Sequence, residues 1–214
     1  MSALRHLPPP VPPTSARVVP FKRVTEEEYF ALDTAAETRL ELLDGEVFAM
    51  AGASPSHNDI TLNVSAFLHG RLRGGACRVR SGDQRVYVPA RSGYVYPDVV
   101  VGCGTLHYRP ATNPPALLNP VVVVEVLSDS TSTHDFTRKF RAYQSIPGLR
   151  HYLLLDSRQV SALLYSREVG SLGWNVTTYD QLTDVLPLPA LGVELPLAEV
   201  YASVVFGEGE ELRG

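Results

Sequence analysis

The sequence predicts an α/β protein built on a central mixed β-sheet flanked by helices. Two observations carry that expectation. The runs YPDVVVG (Tyr96 to Gly102) and NPVVVVEVL (Asn119 to Leu127) are dense in valine and bounded by Pro and Gly. Runs of this length and composition read as central strands covered on both faces. Stretches with apolar residues at helical spacing, each opened by cap residues, lie before and after them.

In chain order, Met1 to Lys22 contains PPPVPP and has no apolar periodicity, which reads as a flexible Pro-rich arm over residues 1–22. Thr25-Glu26-Glu27-Glu28 has the form of a capping box and opens a short helix to about Ala36. RLELLDGEVFAMA (Arg39 to Ala51) reads as a hairpin turning at Asp44-Gly45. Ser54-Pro55 starts a longer helix, with Ile60, Val64, Phe67, Leu68 and Leu72 on one face and Gly74-Gly75 at its end. Strands are expected at Cys77 to Ser81, Gln84 to Pro89 and Tyr94 to Cys103, with an exposed loop from Gly104 to Leu118. After the strand Val121 to Leu127, a polar turn (Ser128 to Thr133) leads into a helix from His134 to Ser145, with Phe136, Phe140 and Tyr143 on its inner face. Further strands follow at His151 to Asp156, Val160 to Ser166 and Gly173 to Tyr179, the last at or near an edge. LPLAEVYASVVF reads as a short packing helix, and residues 207–214 as a frayed tail. The stretch 23–206 thus reads as one domain, which a chain of 214 residues accommodates with a sizeable core.

No apolar run approaches the roughly 18 residues that span a bilayer, so no membrane association is expected. With no charged-then-apolar leader, a cytoplasmic protein is the default expectation. Cys77 and Cys103 are too few for a disulfide framework and lack metal-ligand spacing. Packed thiols are the preferred reading, with a bond between the two left open. A net charge of −4 gives no global nucleic-acid signature. Arginines outnumber lysines seventeen to two, and the lysines are Lys22 and Lys139. One of the two therefore stands beside the valine-rich strands.

Each valine run carries one acid, Asp98 and Glu125. A carboxylate in such a strand costs several kcal/mol unless compensated. Acids on neighbouring strands can project from one face, and oxygen donors with open positions suit Mg²⁺ or Mn²⁺ rather than zinc. A pair of strand-end acids bound to arginine or backbone amides is the alternative. Lys139, on the following helix, could fold back beside the acids, or face solvent. Glu41, in the first hairpin strand, shares a face with Arg39 and reads as a surface charge. His57, in the first turn of the long helix, could bond to backbone or to an acid. Ser128, Ser130 and His134 do not form a hydrolase nucleophile motif, because no G-x-S-x-G elbow is present.

Taken together and in this order, several motifs resemble the Uma-two restriction-endonuclease family, within the PD-(D/E)XK nuclease superfamily. They are T-x-E-E-Y (Thr25 to Tyr29), E-L-L-D-G-E (Glu41 to Glu46), S-P-S-H-N (Ser54 to Asn58), Y-P-D-V-V-V (Tyr96 to Val101), V-V-E-V-L-S-D-S-T (Val123 to Thr131), D-x-x-x-K-x-x-x-Y (Asp135 to Tyr143) and R-H-Y-L-L-L-D (Arg150 to Asp156). The resemblance spans about Thr25 to Val204. It implies a restriction-endonuclease-like core and a Mg²⁺-dependent DNA endonuclease (Mn²⁺ able to substitute), acting transiently on DNA as a homodimer and without an organic cofactor. It implies Asp98 and Glu125 as metal ligands and Glu41, Asp98, Glu125 and Lys139 as catalytic residues, and it singles out His57 and Tyr143. The superfamily's E-x-K would put lysine at position 127, where this chain has Leu127; the family pattern moves it to the following helix, as Lys139. A non-catalytic binding or scaffold protein on the same fold, and a nuclease acting on RNA or branched DNA, remain as alternatives.

Overall fold

The computed structural model describes residues 23–50, 52–109, 114–127, 133–171 and 173–207, without the side chains of residues 91 and 133–136. The Pro-rich arm, the polar turn at Ser128 to Ser132, the Phe136 side chain and the tail beyond Gly207 lie outside the described residues.

The described residues begin with α1 (Glu26–Ala35), β1 (Leu40–Leu43), β2 (Glu46–Ala49), α2 (Pro55–Leu72) and β3 (Cys77–Ser81). Next come β4 (Val86–Val88), β5 (Gly93–Val95), β6 (Val99–Cys103), β7 (Tyr108–Arg109), β8 (Ala116–Leu117) and β9 (Pro120–Leu127). Then follow α3 (Thr133–Tyr143), β10 (His151–Asp156), β11 (Ala162–Ser166), β12 (Asn175–Tyr179), β13 (Val185–Leu188), β14 (Val193–Pro196) and α4 (Leu197–Val200).

Local chemistry sets the early elements. Thr25 and Glu28 cap α1 reciprocally, at 3.2 and 2.7 Å. Ser54 accepts the His57 N–H at the start of α2, and Pro55 holds the first helical position. Asp44 and Gly45 both have positive φ, at 55° and 77°, as a two-residue hairpin turn requires.

Among the described residues the strands form two six-stranded sheets and one hairpin rather than a single sheet. The central sheet runs β12-β11-β10-β9-β6-β3, with β9 and β10 parallel and joined through α3. The second sheet runs β2-β1-β5-β4-β8-β7. The stretch Tyr94 to Cys103, expected as one strand, is two strands in different sheets. Pro97 has no N–H to give a ladder, and the chain crosses between sheets at Tyr96-Pro97-Asp98. Asp98 therefore stands just ahead of β6 rather than within it. The Gly104 to Leu118 connection is not all exposed loop. It forms β7 and β8, and Ala116 and Leu117 are buried. The C-terminal helix is only one turn long and follows a hairpin, β13–β14, that went unpredicted.

The uniform valine runs are explained by covering on both faces. Val99, Val101, Val122, Val124 and Val126 pack with Ile60, Val64 and Leu68 of α2 and with the β13–β14–α4 unit. Val100 and Val123 face the other way, into a second core with Leu43, Val86 and Val95 of the second sheet and Ala142 and Tyr143 of α3. A third, smaller cluster packs Tyr29 of α1 on Leu42 and Tyr94. Cys77 and Cys103 form a disulfide, which corrects the packed-thiol reading: they are direct register partners in β3 and β6, with Cα atoms 3.9 Å apart. Among the described residues, no helix is long and apolar enough to cross a membrane.

Candidate active site

Alternation along β9 fixes where Glu125 points. Val124 and Val126 belong to the α2 face, so Glu125 turns with Val123 toward α3 and the second sheet. The antiparallel pairing Val99↔Val124 then brings Asp98 alongside Glu125. Asp98 Oδ2 accepts the Val126 N–H at 2.7 Å, occupying a donor just past the last β6–β9 register pair. His57 Nε2 lies 3.3 Å from Asp98 Oδ1. The other ring nitrogen, Nδ1, is buried and has no hydrogen-bond partner among the described residues.

Lys139 and Tyr143 are four residues apart on α3 and so share a helix face. Tyr143 donates its hydroxyl to Glu125 Oε1 at 2.7 Å, and Lys139 Nζ donates to both Glu125 oxygens at 3.2 and 3.3 Å. The same ammonium lies 3.0 Å from Glu41 Oε1, which also accepts the Tyr96 N–H at 2.9 Å. The expectation of a surface Glu41 is corrected: β1 is packed on both faces, between α1 and the core under α3, and Glu41 is only 5% exposed. Lys139, likewise, is not a solvent-facing lysine but bridges two buried acids. All six residues singled out in the sequence thus meet in one continuous polar cluster.

Three carboxylates and one ammonium share a largely buried site. Burial pushes the Glu125 carboxyl up to about 7; Lys139 pulls it down, and Asp98 and Glu41 push it up again. Burial works against the Lys139 ammonium, but attraction to Glu125 and Glu41 outweighs it and raises its pKa. The two shifts agree, because one cation is surrounded by several anions while each anion shares one cation. Burial opposes protonation of His57, but the bond to Asp98 prevails and its pKa is raised. Burial, with Glu125 alongside, holds the Tyr143 hydroxyl protonated.

The donor set fits a hard divalent cation. The Asp98 and Glu125 carboxylates repel one another across the β6–β9 pair, their oxygens each already meeting a protein partner, and the cluster carries more negative than positive charge. Among the described residues no three His, Cys, Asp or Glu side chains already enclose a common point. An ion held here by two carboxylates would keep several waters, the usual habit of Mg²⁺.

Sequence reasoning missed two supports. Arg138 clamps α3 to the hairpin, donating to Glu46 Oε2 and the Leu43 carbonyl at 2.7 and 2.6 Å. Arg85, fully buried, pairs with Asp33 and donates to the Tyr96 hydroxyl at 2.9 Å, steadying the crossing that carries Asp98. An arginine at the head of the apolar run VYV was the available signal for the second.

Comparisons with known proteins agree with this architecture. The model of the Uma2 family, described as putative restriction endonuclease, matches residues 26–198. The uncharacterized protein slr1290 of Synechocystis is 32% identical over 187 residues, covering 87% of this chain and 96% of that protein. A second Synechocystis protein, the uncharacterized sll1609, is 32% identical over 156 residues, covering 73% of this chain and 87% of its own length. A crystal structure of a putative nuclease belonging to DUF820, from Anabaena variabilis, superposes with a TM-score of 0.64 at 14% identity. That match covers 79% of this chain and 93% of the other, and it shows the shared fold.

Proposed function

The chain belongs to the Uma2 family, and from that premise we propose that it is a metal-dependent nuclease hydrolysing phosphodiester bonds in DNA. The observation that carries the reading is Lys139: an ammonium from the helix after Glu125, set between two buried acids beside Asp98. Asp98 and Glu125 would hold Mg²⁺, or Mn²⁺ in its place. Such an ion, when bound, supplies a water of lowered pKa and offsets charge on a phosphoryl oxygen. Lys139 orients the attacking water and places positive charge where the phosphoryl oxygens gain negative charge. Glu41 aims Lys139, Tyr143 fixes the rotamer of Glu125, and His57 fixes that of Asp98. A homodimer would serve cleavage of two strands through sites related by a twofold axis. Action on RNA or on branched DNA would use the same residues and differ only in substrate.

The first test is Mn²⁺ titration by calorimetry on the full chain and on Asp98→Ala, with and without duplex DNA. Binding in the wild type that vanishes in the variant is the expected result. Asp98→Ala and Glu125→Ala should each abolish cleavage with a near-native circular dichroism spectrum, and retained cutting in either would sink the assignment. Lys139→Met should lose rate more than metal affinity; equal loss of both would remove it from its role. A scaffold reading is favoured by one observation, that both oxygens of Asp98 and of Glu125 already have protein partners. Failure to bind Mn²⁺ even with duplex present would leave that reading standing.

A further inference from the structure

The negative net charge hides a sharply segregated distribution. From Ile60 to Gly82 the chain has four arginines, one histidine and no aspartate or glutamate. This stretch folds into most of α2, the turn at Gly74-Gly75 and β3, one edge of the central sheet. His69, Arg71, Arg73, Arg78 and Arg80 are all exposed. Arg39, Arg85, Arg109, Arg138 and Arg158 each pair with a carboxylate, whereas none of these four arginines pairs with any described acid. Between the last turn of α2 and β3 lies a cavity of about 150 Å³, lined by His69, Arg73, Arg78 and Arg80 and by no acid.

Two of the four guanidinium groups are also held in place. Arg78 and Arg80 alternate onto one face of β3, about 7 Å apart. Arg78 donates one nitrogen to the Gly75 and Cys77 carbonyls at 2.6 and 2.9 Å, and Arg80 one nitrogen to the Val79 carbonyl at 3.1 Å. Each guanidinium has five N–H donors, so most remain free while the group is already oriented. The strip leads to the acids: just past β3, the Gly82 N–H donates to the Asp98 carbonyl at 2.9 Å. Five residues of strand make the strip about 17 Å long, the rise of about five base pairs.

We infer that the exposed edge formed by β3 and the end of α2 docks the phosphate backbone of duplex DNA flanking the cleaved bond, without reading its bases. The identity of the polyanion rests on the nuclease reading; the site itself rests on unpaired, oriented cations running up to Asp98.

The test is fluorescence anisotropy of a labelled duplex of about two helical turns, titrated with the full chain in EDTA between about 50 and about 200 mM KCl. The combined substitution Arg73→Gln, Arg78→Gln and Arg80→Gln should weaken binding at low salt at least about tenfold. It should also make the salt dependence shallower by about 2 to 3, because each lost phosphate contact removes about 0.9 from the slope. Unchanged affinity and slope would overturn the inference, as would a wild type that binds no duplex, or one that sediments with phosphatidylserine vesicles instead. Should the triple variant lose its fold, Arg71→Gln with Arg73→Gln leaves the strand intact, and must still lower the slope. Patch-dependent binding with no cleavage in Mn²⁺ would refute the nuclease reading alone; cleavage and binding untouched by the substitutions would refute the dock alone.

Discussion

Among single residues, Tyr143 shows how much of the cluster hangs on one proton. Its hydroxyl is fully buried and its partner is the Glu125 carboxylate. Tyr143→Phe removes the donor and leaves the acceptor in place, which costs about 1 to 3 kcal/mol by denaturant unfolding. The same change should raise the Glu125 pKa further, because a hydrogen bond to the charged form is lost. An NMR pH titration of the Glu125 carboxyl would show it, and an unmoved midpoint would mean that Lys139 alone sets its charge. Glu41 was the hardest of these residues to read in sequence. Alternation in RLELL put it on the Arg39 face, but nothing local says that α3, almost a hundred residues later, covers that face.

The elements divide by how local their causes are. The Thr25–Glu28 capping box, the Asp44-Gly45 turn and the valine run of β9 act within a few residues, and α1, the β1–β2 hairpin and β9 stand where the sequence predicts them. β7 and β8 are two-residue strands that exist only because the second sheet offers them partners, so no pattern within them could announce them. The disulfide is of the same kind. Residues 77 and 103 become neighbours only once β3 and β6 pair in this register. It closes a loop with a sequence separation of 26 residues, and replacing both cysteines by serine should cost about 3 kcal/mol. Thermal unfolding with and without reductant checks this; a wild type indifferent to reductant would mean the bond contributes nothing in solution.

For the whole molecule, two buried groups, Glu125 and His151, push the pH dependence of stability in opposite directions. Without a divalent cation, Glu125 in the folded protein keeps until about pH 7 a proton that the unfolded chain loses near 4.5, so stability falls as pH rises through that window. Burial and the nearby Arg150 depress His151 to about 4, while the unfolded chain takes up a proton near 6.5, so stability falls as pH drops from about 6.5 to about 4. The two slopes oppose each other over nearly the same range. Glu125→Gln should therefore leave a melting temperature that climbs from about pH 4.5 to about pH 6.5 in EDTA. A fall over that range would show that His151 does not dominate what remains.

The crossing at Tyr96-Pro97-Asp98 bears on how this protein can diverge. It joins two sheets through three residues, and the strand it feeds alternates strictly between two separate cores. One inserted residue would exchange Val99 with Val100 across the sheet and carry Asp98 away from Glu125. A change of length by one residue is therefore costly at this crossing.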